Sequence, residues 1–268
     1  MASPAPLLTA CIVAGNEQDR IGPCLDSLAF CDEIVVVLDD RSTDGTRALC
    51  EAAGAVVSVH AWEGFMAQKE RAVRAARHDW VLCLDADERV SDALGAEIER
   101  LREQGFVERA GFRMPRLSSY LGRWQRHGSW YPDHVLRLFD RRRGHWSGDP
   151  LHAAPHVDGP IGKLGGDLLH HPYRDFAHHL RKIDEYTTAM AERMHADGRR
   201  ARPTDIVFRP LIRFVRYYLL DLGFLCGWRG FLLACLATHY GRMKYAKLLA
   251  LHAQATLPNT SGDPVDPP

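Results

Sequence analysis

Trp80-Val81-Leu82-Cys83-Leu84-Asp85-Ala86-Asp87-Glu88 is an apolar run that ends in acids. A short continuous apolar run reads as a strand buried on both faces, and the acids mark where it opens into a loop. Carboxylates this close are costly unless a cation or a reaction uses them. Mg²⁺ and Mn²⁺ favour oxygen ligands and bridge one or two carboxylates to a substrate's phosphates. The tetrad Asp85-Ala86-Asp87-Glu88 therefore reads as a metal–diphosphate site at a strand's carboxyl end. The competing reading is a solvated turn whose acids cap the helix that starts near Ser91.

Outward from this run, the first hundred residues alternate. Strands are expected at 7–14, 33–38, 55–59 and 80–84, with helices at 19–30, 43–53, 66–77 and 91–102. Such alternation predicts an α/β fold with a mainly parallel sheet covered by helices on both faces. Ligands of such sheets lie outside the carboxyl ends of the strands. The loops at 15–17, 39–45, 60–65 and 85–89 are therefore the ones to watch. Past residue 105 come two expected strands, 111–116 and 135–139, among segments rich in Trp, His, Gly and Pro. A helix is expected over 173–194, with a break at Asp197-Gly198.

Two further loops on the same rim carry acids. Asn16-Glu17 follows the first strand, and Asp39-Asp40-Arg41-Ser42-Thr43-Asp44-Gly45-Thr46 follows the second. A carboxylate at Asp39 can accept hydrogen bonds from a base or a ribose, and Ser42 or Thr43 can cap the next helix. Each loop alone also reads as a plain capped turn. Three acidic loops along one rim are harder to explain that way.

Ile12-Val13-Ala14-Gly15-Asn16-Glu17, Val37 to Thr46, Ala67-Gln68-Lys69-Glu70-Arg71 and Leu84 to Glu88 together resemble the signatures of family 2 glycosyltransferases of the GT-A fold. Trp130-Tyr131-Pro132-Asp133-His134-Val135-Leu136-Arg137-Leu138-Phe139 and Gly227-Trp228-Arg229-Gly230 resemble a narrower subgroup, the bacterial lipopolysaccharide core β-1,4-glucosyltransferases. The resemblance implies a GT-A, Rossmann-like nucleotide-sugar-binding domain. It implies that Glu17, Asp39 and Lys69 line the nucleotide pocket, with Asp39 on the uracil. Asp85 and Ala86 would meet the ribose or diphosphate of a UDP-sugar, and Asp87 would ligate the Mn²⁺ or Mg²⁺. It also implies an inverting displacement by an acceptor hydroxyl, which needs a general base within hydrogen-bond reach.

The base departs from the pattern. Gly148-Asp149-Pro150-Leu151-His152-Ala153 has Ala where relatives carry Glu after the His. Asp149, His152 and Asp133 are the candidates, and Asp133 could instead position acceptor hydroxyls. The Ala also motivates an alternative: a catalytically silent or divergent nucleotide-sugar-binding protein. Nine of the fourteen His fall between residues 127 and 179 without a zinc-like spacing, and one of them could complete the metal shell. Trp124, Trp130, Tyr131 and Trp146 could stack on sugar faces, with Trp130 and Tyr131 as acceptor contacts; core packing explains such rings equally well. A nucleotidyltransferase would need a Gly-rich basic loop after the first strand, and Ala14-Gly15-Asn16-Glu17 does not supply one.

Composition sets the outer limits. Hydrophobic residues are 46% and charged residues 25% of the 268, with a net charge of 0, which argues against nucleic acid as partner. The seven cysteines are odd in number and lack a Cys-x-x-Cys, so they read as reduced thiols of a cytosolic protein, and residues 1–6 lack a signal-peptide pattern. Charge is uneven: residues 199–250 hold ten Lys or Arg against Asp205 and Asp221. Arg209, Arg213 and Arg216 recur on one helical face, and Leu211, Phe214, Val215, Tyr218 and Leu222 on another. Asp221 and Arg229 interrupt the best apolar window, so an interfacial helix fits better than a span. The expected layout is a catalytic domain at 1–200, divided into a nucleotide-sugar half (7–105) and an acceptor half (106–200), a basic amphipathic helical region at 201–252, and a disordered tail at 253–268. The resulting expectation is a peripheral protein on the inner face of a bacterial inner membrane. Its partners would be anionic lipids, a UDP-sugar and a lipid-linked saccharide acceptor such as lipopolysaccharide core; another membrane glycolipid is the alternative acceptor.

Overall fold

A computed structural model describes residues 4–147 and 154–256. The chain divides into two compact units: residues 1–119 with 130–172, and residues 120–129 with 173–268. The expected division near residue 200 leaves the long helix with the sheet. By compactness that helix belongs to the second unit, because its Ala191 and Met194 pack on Leu248.

The first unit begins with β1 (Leu8–Ala14), α1 (Ile21–Asp26), β2 (Glu33–Asp39), α2 (Thr46–Ala52), β3 (Val56–His60), α3 (Phe65–Ala75) and β4 (Trp80–Asp85). It continues with β5 (Glu88–Val90), α4 (Asp92–Glu103) and β6 (Gly111–Tyr120). β7 (Arg123–Trp124) falls in the second unit, and the first resumes with β8 (Asp133–Asp140), β9 (Gly144–Ser147), β10 (Ala154–Val157), β11 (Ile161–Lys163) and β12 (Leu168–His170). The sheet runs β3-β2-β1-β4-β8-β6-β12-β5. β3, β2, β1 and β4 are mutually parallel, whereas β8 inserts antiparallel between β4 and β6.

β1 is buried along its whole length, as a strand covered on both faces must be. Its alternate residues enter two cores. Leu8, Ala10, Ile12 and Ala14 pack with Leu25 of α1, Cys50 of α2 and Leu94 and Ile98 of α4. Cys11 packs on the opposite face with Ala72 and Val73 of α3. Helices therefore cover both faces, and the α/β architecture agrees with the expectation. α4 starts where Ser91 accepts a hydrogen bond from the Leu94 amide at 3.3 Å.

Several boundaries differ. Of the helix expected over 19–30, only Ile21–Asp26 is helical. Asp44, not Ser42 or Thr43, accepts the Thr46 amide at the start of α2, at 3.0 Å. The seven cysteines are free thiols, four of them buried.

The second unit holds α5 (Phe176–Ala196), α6 (Pro203–Val215) and α7 (Gly227–Thr256). A π-turn (Arg216–Leu220) and a 3₁₀ turn (Gly223–Cys226) join α6 to α7. α7 runs on through residues 253–256, which were expected in the tail; the rest of that tail lies outside the described residues. Among the described residues no single helix is long and apolar enough to cross a membrane; Pro203–Leu220 and Gly223–Ala255 reach that length and composition only as a pair, which is bent by 71°.

Candidate active site at the carboxyl rim of the sheet

The parallel strands bring the acidic loops to one rim, and side chains tie the loops together. Asn16, at φ 54°, accepts the Thr43 amide at 3.0 Å, and its own amide donates to Ser42 Oγ at 3.0 Å. Gln18 Oε1 accepts the Gly45 amide at 2.6 Å. Gly15 lets the first loop pass against the second, since a Cβ there would lie 3.0 Å from Asp39 Cβ. Arg20 joins the first loop to the tetrad: its Nε donates to Glu17 at 2.7 Å, and its Nη1 stands 3.5 Å from Asp87. Glu17, Asp39 and the tetrad therefore share one rim, as expected.

The tetrad is held unequally. Asp85 Oδ1 pairs with Lys69 at 2.6 Å and Oδ2 with Arg137 at 2.8 Å. Burial alone would raise the Asp85 carboxyl, but Lys69 and Arg137 outweigh it and hold it well below the usual carboxylate range. Glu88 is fully buried; it accepts the Asp85 amide at 3.0 Å and Arg137 Nη2 at 2.7 Å, with Arg116 at 3.3 Å. Burial again opposes its charge, and Arg137 followed by Arg116 keeps it ionised. Asp87 differs: its oxygens stand 3.5 Å from Arg20 and 3.7 Å from His170 Nε2, both longer than a strong charge-assisted bond.

His170, at the end of β12, uses Nδ1 with Ser118 Oγ at 2.9 Å, which leaves Nε2 facing Asp87. Burial holds its pKa down despite Asp87, so it is neutral near pH 7 and its nitrogen is available as a donor. A carboxylate and an imidazole side by side fit a divalent cation that takes its other ligands from phosphate oxygens and water. Among the described residues no set of three or more such side chains forms a self-sufficient metal centre. The residues present therefore suit an ion that arrives with a phosphorylated ligand.

The remaining expected residues are placed as follows. Asp39 is bound by Arg41 through Nε at 2.9 Å and Nη2 at 2.6 Å, and Arg41 lies 5.5 Å from the Trp62 ring. Lys69 sits 4.8 Å over Trp146, so this ring packs on the lysine that holds Asp85. Ala86 is buried. Asp133 takes two bonds from Arg116 on Oδ2, at 2.6 and 2.9 Å. Tyr131 donates its hydroxyl to Asp167 at 2.9 Å, and Trp130 is half-buried. Asp149 and His152 lie outside the described residues.

Sequence reading missed Arg116 and Arg137 as site residues, named Glu88 only as part of the tetrad, and left His170 as one of nine His of which one could complete the metal shell. Arg137 carried a usable signal. It is a charge inside the apolar run of β8, and a buried guanidinium requires carboxylate partners. Nothing singled out His170 among the nine His, since β12 is only three residues long.

Residues 9–157 match the family model described as "Glycosyl transferase family 2". The chain is 31% identical over 264 residues to the lipopolysaccharide core biosynthesis glycosyltransferase LpsC of Rhizobium meliloti (strain 1021), covering 94% of this chain and 95% of that one. It is 25% identical over 252 residues to an uncharacterized glycosyltransferase of Rickettsia typhi, covering 90% and 86%. Among solved structures, mannosyl-3-phosphoglycerate synthase from Rubrobacter xylanophilus aligns at a TM-score of 0.48 and 18% identity, over 74% of this chain and 77% of that one.

Proposed function

The chain belongs to glycosyl transferase family 2, and on that premise we propose that it moves glucose from a UDP-sugar to a lipid-linked saccharide of the lipopolysaccharide core, with inversion. The acceptor class follows the name of the Rhizobium meliloti relative, which matches along most of both chains. The donor class follows the acidic rim. One observation carries the assignment of roles: Asp85 and Glu88 are clamped by cations at 2.6–2.8 Å, whereas Asp87 meets its neighbours only at 3.5 and 3.7 Å.

Asp87 and His170 would hold the Mn²⁺ or Mg²⁺, with the donor's phosphates as its other ligands. A divalent ion bound there supplies charge neutralisation to the departing diphosphate. Lys69 and Arg137 keep Asp85 ionised and aimed, so that it can accept from the ribose. Arg41 occupies part of Asp39's acceptor capacity, and a carboxylate has about four lone-pair sites, so Asp39 can still accept a uracil N–H. An acceptor hydroxyl attacks the anomeric carbon; the new C–O bond forms as the bond to UDP breaks, and the hydroxyl proton passes to a base. Asp149 or His152 takes that proton. Asp133, fixed by Arg116, orients acceptor hydroxyls beside Trp130 and Tyr131. The enzyme works as a peripheral protein on the inner face of the inner membrane, where lipid-linked acceptors are exposed.

Calorimetry with Mn²⁺ and a panel of UDP-sugars tests the donor. UDP-glucose should bind, and Asp87→Ala should remove the metal dependence of that binding. Absence of binding to any UDP-sugar would sink the reading. Binding without transfer to any glycolipid acceptor would favour a silent nucleotide-sugar-binding protein. For the base, Asp149→Asn, His152→Gln and Asp133→Asn are compared at saturating donor; the base variant loses kcat, while a positioning variant raises the acceptor KM.

A further inference from the structure

The second unit shows water an unusual surface. On α6, Val207, Phe208, Leu211, Ile212 and Val215 are 40–67% exposed. The joining turns add Leu219 at 52%, Leu220 at 72%, Phe224 at 44% and Leu225 at 56%. The first turns of α7 add Trp228 at 59% and Phe231 at 50%. Scattered exposed apolar residues are ordinary, but a contiguous set of large ones marks an interaction surface.

The helix geometry orders this surface. At about 100° per residue, the exposed apolar side chains of α6 occupy an arc of roughly 140°. Pro210, which is buried, lies about 60° beyond the Val207 edge of the arc, and Phe214, which is half-buried, about 20° beyond it. Pro210 packs near Gly241 of α7, where a Cβ would lie 3.7 Å from Pro210 Cγ. Phe214 and Tyr218 gather on Phe231, with ring centroids 5.9 and 5.7 Å away. Phe214 and Tyr218 therefore leave the solvent-facing apolar set that their spacing suggests and serve the helix contact instead. Arg216 and Arg209, both exposed, lie about 40° and 60° beyond the Ile212 edge of the arc, and Arg213, also exposed, lies on its far side. Arg209 and Arg213 lie over the Tyr245 and Tyr240 rings, at 5.2 and 5.7 Å.

The turns are built tightly. A Cβ on Gly230 would collide with the Gly223 carbonyl oxygen, and one on Gly223 would lie 2.6 Å from the Tyr217 carbonyl oxygen. The exposed apolar tip is therefore presented by a close-packed backbone and not by a loose loop.

We propose that α6, the two turns and the start of α7 form a monotopic membrane wedge that sinks its apolar tip into one leaflet of an anionic phospholipid bilayer, with Arg209 and Arg216 at the phosphates. Among the described residues no single helix is a span, and the pair that passes only together is bent by 71°, which favours lying in the interface over crossing it. Charge selects the occupant. Residues 199–250 carry ten Lys or Arg against two Asp, so a second copy placed face to face would oppose arginine to arginine, whereas anionic headgroups complement it. The wedge rests on the peripheral placement proposed above, but not on the sugar chemistry.

Flotation of the full chain with phosphatidylcholine vesicles, with and without phosphatidylglycerol, tests the wedge. Binding should need phosphatidylglycerol and weaken as salt rises. Phe224→Asp with Leu225→Asp should lower partitioning about tenfold or more, because apolar burial drives insertion. Arg209→Glu with Arg216→Glu should also lower it about tenfold and flatten the salt dependence. These positions are exposed, so circular dichroism and UDP-sugar binding should stay as in the parent; loss of sugar-nucleotide binding alone would count against the function and not against the wedge. No flotation with anionic vesicles, or equal flotation of the parent and the Phe224/Leu225 variant, overturns the wedge. So does a dimer in light scattering that the same variant dissociates.

Discussion

The two units invert the usual distribution of polarity in opposite ways. In the first, a cluster of charges lies inside: Glu88 is fully buried, Arg137 is 6% exposed, and they pair at 2.7 Å. In the second, large apolar side chains lie outside, with Leu220 at 72% and Ile212 at 67% exposure. Each arrangement is costly for a folded chain by itself. The inner charges brace the acidic rim proposed to hold the donor, and the outer apolar groups form the surface proposed to enter the membrane. Departures from ordinary burial thus point to function in both places, but with opposite consequences for stability.

Arg137→Ala probes the inner cluster most severely. It strips Glu88 and Asp85 of their shared cation and should destabilise the fold by about 3–5 kcal/mol, read as a lower urea midpoint. A small change would break the comparison, since it would mean that water reaches the cluster. Asp87→Ala should act on the reaction and spare the fold. Turnover should fall about 100-fold or more, and the urea midpoint should hardly move, because only the 3.5 and 3.7 Å contacts are lost.

pH separates a buried neutral imidazole of the second unit, His179, from the buried carboxylates of the first, Asp85 and Glu88. His179 is stacked on Tyr173 at 3.8 Å, and burial, reinforced by Lys182, pushes its pKa down to about 4. Below pH ~6.5 the unfolded chain takes up a proton that folded His179 refuses, so stability falls as pH drops towards ~4 and levels off below it. The loss should be on the order of 2–3 kcal/mol, and His179→Asn should remove it from the urea midpoint profile. Asp85 and Glu88 lose stability in the same direction as pH falls, but at lower pH and because cations hold them charged. Their depressed pKa values add stability above pH ~4, and that contribution is lost only as more acidic conditions protonate them. The smallest effect is expected at the outer surface, where Leu220→Ser should shift stability by no more than about 0.5 kcal/mol in either direction, since nothing packed is removed.

The readable parts of this chain were local. β1 to β4 and their helices follow from apolar runs and turn residues, and the acids of the rim follow from where those runs stop. The bracing of the rim was not local. Arg137 reaches Asp85 across 52 residues because β8 inserts antiparallel beside β4, and no periodicity announces that neighbour. His170 meets Asp87 through a three-residue strand, too short for any pattern. The allegiance of α5 to the second unit was hidden likewise, since an amphipathic helix declares that it has a partner without saying which. On α6 the spacing identified an apolar face but could not say which rings turn towards α7.

The tight approach of Gly223 and Gly230 bears on how variant maps of this protein will read. Gly230 closes the Gly227-Trp228-Arg229-Gly230 stretch, yet its intolerance of a side chain arises from crowding against a carbonyl. In a saturation screen Gly230 would score as severely as Asp87, and for an unrelated reason. A purification assay tells them apart: defects at Asp87 leave ordinary yields of inert protein, whereas defects at Gly230 deplete the soluble pool before any sugar is offered.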